Sequence, residues 1–396
     1  MKALLCENVH PEGVRLLRRR GFDVETRDGA LREDELAAAL AGVDLLGIRS
    51  TTNVTSRVLA QAPSLKAIGA FCIGTNQIDL DAATAAGVAV FNAPYSNTRS
   101  VVELAVAEII ALARHLTDQT AAMHAGVWHK SARGSHEVRG RTLGIVGYGS
   151  IGSQLSVMAE SLGMQVYYVD LVDRLALGNA RRCGSLEELL DAVETVSVHV
   201  DGRPENRGLF SDAQFARMRP RSLFLNLSRG HVVDDAALAR HLTSGHLAGA
   251  ALDVYPSEPK TNGQEFESPL RGLPNVILTP HVGGSTEEAQ EDIGTFVAGK
   301  LADYADAGST TLSVNLPQVA PARSAGRRIV HLHANVPGVL AKVNTVLAEL
   351  GANIVAQTLA TRGQVGYAVL DVDGVVGPDV LDALGALPET MRVEAR

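Results

Sequence analysis

The stretch from Leu143 to Leu162 constrains the fold more than any other part of the chain. Gly147, Gly149 and Gly152 stand in the spacing G-x-G-x-x-G within VGYGSIG, at the end of an apolar run (Leu143–Gly147) and directly before a helical stretch, Ile151–Leu162. A strand that feeds a helix through such a turn is a unit of a parallel, doubly wound sheet. The first glycine permits the tight turn, the second lets backbone approach a pyrophosphate, and the third allows close helix–strand packing. Ser150 and Ile151 open the helix, where free N–H groups and the helix dipole favour phosphate. The next strand, VYYVD, ends in Asp170, eighteen residues beyond Gly152. A carboxylate there accepts hydrogen bonds from ribose hydroxyls and repels a 2′-phosphate, so the expected cofactor is NAD and not NADP.

The same alternation extends in both directions. Before the motif, Ala3–Cys6, Phe22–Thr26, Leu45–Ile48, Ala67–Ala70 and Val88–Phe91 read as strands, separated by helical stretches at Glu12–Arg20, Arg32–Leu40, Ser56–Gln61 and Leu80–Ala86. This predicts a first parallel sheet with helices on both faces. A longer helix is expected from Ser100, with Glu103 at capping-box spacing. After the motif, strands are expected at Val166–Asp170, Thr195–Val200, Leu223–Leu227, Ala250–Val254 and Val276–Thr279, with helix from Gly283 to about Ala307. Thr310–Ala325, rich in Pro, Ser and Thr and followed by Gly326, reads as a linker. The tail, Arg327–Arg396, has the order β-α-β-β-α-β of a ferredoxin-like unit. The fold class is therefore α/β, with two doubly wound parallel-sheet domains and a small βαββαβ module suited to regulation or assembly.

A formal charge of −8 argues against a nucleic-acid or anionic-membrane surface. An anionic substrate then needs a few local cations. Cys6, Cys72 and Cys183 are scattered, in no metal-binding pattern, and are expected to be buried in a reducing compartment. No apolar run approaches the ~20 residues of a membrane span. A cytoplasmic enzyme without a metal is expected.

Three segments look chemical, each at the end of an apolar strand, where ligands bind in open α/β sheets. LFLNLSRGHVVD carries Arg229, whose guanidinium can pair with a carboxylate or ketone oxygen. ALDVYPSEP carries Glu258, and VILTPHVGGS carries His281. An imidazole can take a hydroxyl proton as hydride leaves, and a carboxylate on its other nitrogen fixes the tautomer. Each residue alone has an ordinary structural explanation. Together, downstream of a dinucleotide motif, they describe a 2-hydroxyacid dehydrogenase.

The order Arg229–Glu258–His281, the internal VGYGSIG and the phrase FNAPYSNTRSVVELAVAEI resemble the D-isomer-specific 2-hydroxyacid dehydrogenases. FCIGTNQIDLDAA, GVWHKSARGSHEVRGRTLGIVGYGSIG, YYVDLVDRLALGNA and TPHVGGSTEEAQEDIG are similar to the branch of that family acting on 3-phospho-D-glycerate. The resemblance implies a flavodoxin-like substrate domain split around an inserted Rossmann-type domain. Its segments would be residues 1–96 and 284–325, with the NAD domain at 97–283 and a regulatory module at 326–396. The active site would lie in the cleft between the first two domains. It implies Arg229, Glu258 and His281 as catalytic residues. The cofactor would touch Gly147, Gly149, Ser150, Ile151, Gly152, Asp170, His199, Leu227, Ser228, Arg229, Asp253, His281, Gly283 and Gly284. Substrate would be held by Arg49, Ser50, Asn97, Arg229 and His281, and Lys130 would add to a cleft, including one in a neighbouring subunit. Two departures stand out. Thr51 replaces a second cation common after the Arg-Ser pair, and Asp201-Gly202 stands where the family usually has proline. HLHANVPGVLAKVNTVLAELGANI resembles the opening of an ACT domain, an amino-acid-sensing module. That implies an L-serine effector site at His333, Asn335 and Asn353, edge-to-edge pairing of modules, and a homotetramer. The reaction implied is oxidation of 3-phospho-D-glycerate to 3-phosphohydroxypyruvate, the first step toward serine. The alternatives are another D-2-hydroxyacid dehydrogenase and a non-enzymatic NAD-responsive scaffold or corepressor.

Overall fold

The computed structural model describes residues 1–259, 263–322, 327–373 and 377–396. They divide into two compact units, residues 1–96 with 290–396, and residues 97–289. The second boundary falls inside the first turn of the helix Glu287–Ala307, six residues beyond the expected one.

In the first unit, β1 (Lys2–Leu5), β2 (Asp23–Thr26), β3 (Leu45–Ile48), β4 (Ala67–Ala70) and β5 (Ala89–Asn92) pair in parallel, in the order β2-β1-β3-β4-β5. This is the flavodoxin-like order. Neighbouring residues serve opposite faces: Leu45, Ala67 and Phe91 enter one core, while Leu46, Ile68 and Val90 enter another. Two-sided burial is why these strands read as unbroken apolar runs, without the alternation of a half-wet sheet.

In the second unit, β6 (Thr142–Val146), β7 (Gln165–Val169), β8 (Arg181–Arg182), β9 (Thr195–Val198), β10 (Ser222–Asn226), β11 (Leu247–Leu252) and β12 (Val276–Leu278) form a seven-stranded parallel sheet, ordered β12-β11-β10-β9-β6-β7-β8. The order reverses between β6 and β9, the crevice where doubly wound sheets bind ligands. The two-residue β8 lies outside the expected strands; its exposed arginines give no strand signal.

The helix expected from Ser100 begins earlier, at Thr98, with Asn97 at its cap and no side-chain capping bond. Ser100 instead meets the Thr286 hydroxyl at 2.9 Å, and Glu103 pairs with Arg99 at 2.6 Å. The capping-box spacing misleads here because residues three and four apart are also neighbours inside a helix. The helix ends at Ala113, and His115 (φ 50°) turns the chain into a second helix, Leu116–His124.

The C-terminal strands β13 (Arg327–Ala334), β14 (Asn353–Arg362), β15 (Val365–Asp373) and β16 (Thr390–Ala395) form an antiparallel sheet ordered β14-β15-β13-β16. One face covers its own helices, Val339–Glu349 and Pro378–Gly385, through Ile329, Val343, Leu370 and Leu384. The other face, with Val330, Leu332, Tyr367 and Val369, joins the core that contains Leu5, Phe91 and Leu301. Arg328 reinforces the join: it forks onto Asp371 at 2.7 and 2.9 Å and donates to the Ala307 and Ala322 carbonyls.

The linker expectation is corrected for much of its length. Ser313 bridges to Phe91 on the edge of β5, and the Asn315 amide bonds Val90 N and Val88 O. The same Ser, Thr and Asn that suggest a free linker supply hydrogen bonds to a sheet edge. Residues 323–326, the end of that stretch and the expected module boundary, lie outside the described residues. The cysteine expectation also needs correction, since Cys6 and Cys183 are buried but Cys72 is only partly so.

Candidate active site

The phosphate cradle is built at the sheet's switch point. A Cβ on Gly147 would lie 2.5 Å from the His199 carbonyl oxygen at the end of β9, and Gly147 has φ 93°. One on Gly152 would lie 2.2 Å from Gly147 O. Both positions admit only glycine. Gly149 differs: nothing lies within 4 Å of the place its Cβ would occupy, so backbone faces open space at the N-terminus of the helix Ser150–Ser161. That is the shape a pyrophosphate needs.

Asp170 follows β7, and its carboxylate accepts Tyr148 N at 2.7 Å and Val172 N at 2.8 Å. It thereby fixes the glycine turn, and a carboxylate has further lone pairs to offer beyond these two bonds. Asp170→Asn retains an acceptor and removes the charge that repels a 2′-phosphate. The NAD:NADP ratio of kcat/KM is expected to fall about tenfold, roughly 1.4 kcal/mol. An unchanged ratio with both cofactors would remove Asp170 from that role. His199 bonds the Ser197 hydroxyl at 2.8 Å, its Nδ1 is buried without a partner, and burial lowers its pKa to about 4. It is a neutral imidazole whose backbone, more than its ring, shapes the cradle.

Arg229 stands on a turn after β10 that a buried residue missed in the sequence holds together. Asn226 Oδ1 accepts the Ser228 N–H and hydroxyl at 3.1 and 2.7 Å, and its amide reaches Arg229 O at 3.1 Å. Leu227 and Ser228 are buried beneath the turn. Gly230 is squeezed against the next loop, where its Cβ would fall 1.9 Å from the Tyr255 carbonyl carbon. That close approach brings Arg229 beside the strand-end loop that carries Glu258. The Asp201-Gly202 departure borders the same place: Asp201 is engaged with Arg203 and Asn206, and Gly202 lies along the Arg229 side chain.

His281 Nδ1 and Glu258 Oε2 are 2.8 Å apart, and Glu258 Oε1 accepts Tyr255 N at 3.0 Å. The hydrogen bond to Glu258 raises the His281 pKa, opposed by desolvation and by the charge of Arg229. Burial pushes the Glu258 carboxyl up, but its hydrogen bonds to His281 and Tyr255 and the charges of His281 and Arg229 together leave it lowered. His281 is about half exposed (51%), so its ring is open to a reactant. Together with the pair, Tyr255, Phe266, Leu278 and Pro280 line a cavity of about 280 Å³.

The His281 backbone is left-handed (φ 55°), costly for a non-glycine residue, and persists only where its surroundings over-determine it. Asp253 does so, accepting Thr279 Oγ1 at 2.6 Å and Val282 N and Gly283 N at 2.8 Å each. A Cβ on Gly283 would meet Asp253 Oδ2 at 2.8 Å, and one on Gly284 would meet the Asn97 amide at 2.1 Å. Asp253, Asn97, Gly283 and Gly284 are thus packed around this one loop.

Other expected residues are placed one by one. Arg49 donates to Gln290 Oε1 at 2.7 Å, and Ser50 is exposed. Their turn is drawn around Glu7, whose carboxylate accepts Arg49 N, Thr51 N and Thr52 N. Lys130 is exposed and makes no hydrogen bond or ion pair among the described residues. In the C-terminal module His333 is buried (3% exposed) and stacks on His331, ring centroids 5.2 Å apart. Asn335 caps the β14–β15 turn through Gly363 O at 3.0 Å, and Asn353 is exposed at the head of β14. Among the described residues these three make no hydrogen bonds to one another.

A nucleotide cradle at the switch point of a doubly wound sheet, with an Arg and a His–Glu pair on neighbouring strand-end loops, defines an NAD-dependent dehydrogenase. The family model for the NAD-binding domain of D-isomer-specific 2-hydroxyacid dehydrogenases matches residues 106–283, and one for ACT domains like that of the AHAS small subunit matches 329–392. The D-3-phosphoglycerate dehydrogenase of Escherichia coli K12 is 49% identical over 395 residues, 99% of this chain and 96% of its own. That of Haemophilus influenzae is 49% identical over 394 residues, 99% of this chain and 96% of its own. The solved TT0316 protein of Thermus thermophilus superposes with a TM-score of 0.69 at 30% identity, covering 77% of this chain and 97% of its own. The chain belongs to the D-3-phosphoglycerate dehydrogenase family.

Proposed function

We propose that this enzyme oxidises the C2 hydroxyl of 3-phospho-D-glycerate to the ketone of 3-phosphohydroxypyruvate, with NAD. The observation that carries the reading is the His281–Glu258 pair beside Arg229, in a chain alike over nearly its whole length to relatives named for that activity. A proton on His281 Nδ1, directed at Glu258, leaves the Nε2 lone pair free to take the substrate hydroxyl proton. Bound NAD supplies the hydride acceptor. Glu258 balances the imidazolium that forms, and Arg229 holds the carboxylate beside the reacting carbon. In reduction His281 returns the proton. Arg49, Ser50 and Asn97 are proposed substrate-holding groups, with Thr51 giving this chain one cation fewer at the phosphate.

The C-terminal module is proposed to bind L-serine at His333, Asn335 and Asn353 and to lower activity. The exposed edge strand β14, with Val355 and Leu359 facing solvent, supports pairing with a second copy. A homotetramer and a cytoplasmic location are proposed with it.

One experiment tests substrate and effector together. NADH absorbance is followed with 3-phosphoglycerate and a panel of other 2-hydroxy acids, each with and without L-serine, with L-valine as the control amino acid. The expected result is turnover of the phosphorylated acid, suppressed by serine alone. Turnover of another acid only would replace the substrate and spare the class. Suppression by valine and not serine would reassign the effector.

A further inference from the structure

Glu108 has no part in the chemistry above. It sits in the middle of the helix Thr98–Ala113, 3% exposed, and neither carboxyl oxygen has a hydrogen-bond partner among the described residues. A bare carboxylate in such a place is costly, so burial favours the neutral acid. Its charged neighbour is Asp253, 2% exposed, whose oxygens are taken by Thr279, Val282 and Gly283. Those three bonds hold the loop on which His281 adopts its left-handed backbone. Asp253 has three donors to stabilise a negative charge; Glu108 has none among the described residues.

We propose that Glu108 is a positioning residue for His281: as the neutral acid it leaves Asp253 to carry the negative charge beneath the loop alone, and its ionisation loosens Asp253's hold on Thr279, Val282 and Gly283. Desolvation first, and the Asp253 charge second, raise the Glu108 carboxyl to about 8. An acid raised in this way keeps its proton below that pH and loses it above, so the loop weakens on the alkaline side. The Tyr255 phenol, on the loop after β11, also feels the Glu108 charge. Asp235, on the helix Asp235–Thr243, reaches Tyr255 and not Glu108, and among the described residues no cation offsets Glu108.

The proposal rests on the dehydrogenase reading above, and the oxidation direction is the one to assay. There His281 is needed without its proton, so an alkaline fall cannot come from His281 itself. Wild-type kcat/KM is expected to fall by up to about tenfold per pH unit above the Glu108 titration, and Glu108→Gln, neutral at every pH, to abolish or displace that fall. Superimposed profiles for the two proteins would overturn the proposal. Infrared difference spectroscopy gives a second readout that needs no substrate. The wild type should show a protonated carboxyl band at neutral pH that disappears as pH rises, is missing in Glu108→Gln, and titrates at lower pH in Asp253→Asn. No such band in the wild type overturns the proposal whatever the kinetics. The band present with no hydroxy acid turned over strikes the functional reading and leaves Glu108's protonation state standing.

Discussion

His281→Ala should lower kcat by about 10³-fold in both directions, while NADH affinity stays within about threefold of wild type. The reasoning starts from geometry. Nδ1 is committed to Glu258 at 2.8 Å, so Nε2 is the ring atom free to exchange a proton with a reactant, and the side chain is about half exposed. Removing it leaves the nucleotide cradle untouched, because Gly147, Gly149, Gly152 and Asp170 are held by β6, β7 and β9 and not by the His281 loop. Turnover by NADH absorbance and binding by NADH fluorescence separate the two effects. Undiminished turnover would take the acid–base role from His281.

Glu258→Gln sharpens the same prediction through pH. The amide can still accept the Nδ1 proton but cannot balance an imidazolium. Glu258 raises the His281 pKa, so the variant should titrate lower. In oxidation, which needs the neutral ring, the rising limb of the pH profile moves to lower pH. In reduction, which needs the imidazolium, the falling limb moves the same way. The plateau drops by about 10–10²-fold because the charged transition state loses its partner. An unmoved limb would mean that Glu258 orients the ring without tuning it.

Much of this arrangement is legible in the sequence, and the exceptions have definite causes. The switch-point glycines announce themselves because backbone crowding admits nothing else at Gly147 and Gly152. Asp170, Arg229, Glu258 and His281 are visible because each closes an apolar run, where an open sheet presents its ligands. Asn226, Glu7 and Glu108 are harder, as is the loop-holding role of Asp253, which the sequence suggests only as a cofactor contact. Their work is to satisfy buried N–H groups or to sit uncharged under a loop, and such partners are set by folding and not by spacing along the chain. The helix start at Thr98 is hard to place from sequence because Ser100 and Glu103 are spaced like a cap and like ordinary helix neighbours alike. The docking of Thr310–Val319 escapes a sequence reading because a polar, proline-bearing stretch has the same composition whether it is free or bound to a sheet edge.

Arg229→Lys should cost about 10²-fold in kcat/KM even though it preserves the charge. The guanidinium uses one donor on the Ser228 carbonyl at 2.7 Å, and its remaining N–H groups form a planar fork able to grip a carboxylate at two points. An ammonium at the end of a flexible stem offers no fork, so both KM and kcat should suffer. Arg229→Gln adds a separable effect. The arginine charge holds both His281 and Glu258 lower than they would otherwise titrate. Removing it should therefore move the His281 limb of the oxidation profile to higher pH, opposite to the shift expected for Glu258→Gln. Lysine at the same position should leave that limb where it is. The pair of variants thus divides recognition from electrostatics: a large loss with an unmoved limb for lysine, and a large loss with a raised limb for glutamine. If lysine restores full activity, the fork is irrelevant and Arg229 acts as a point charge alone.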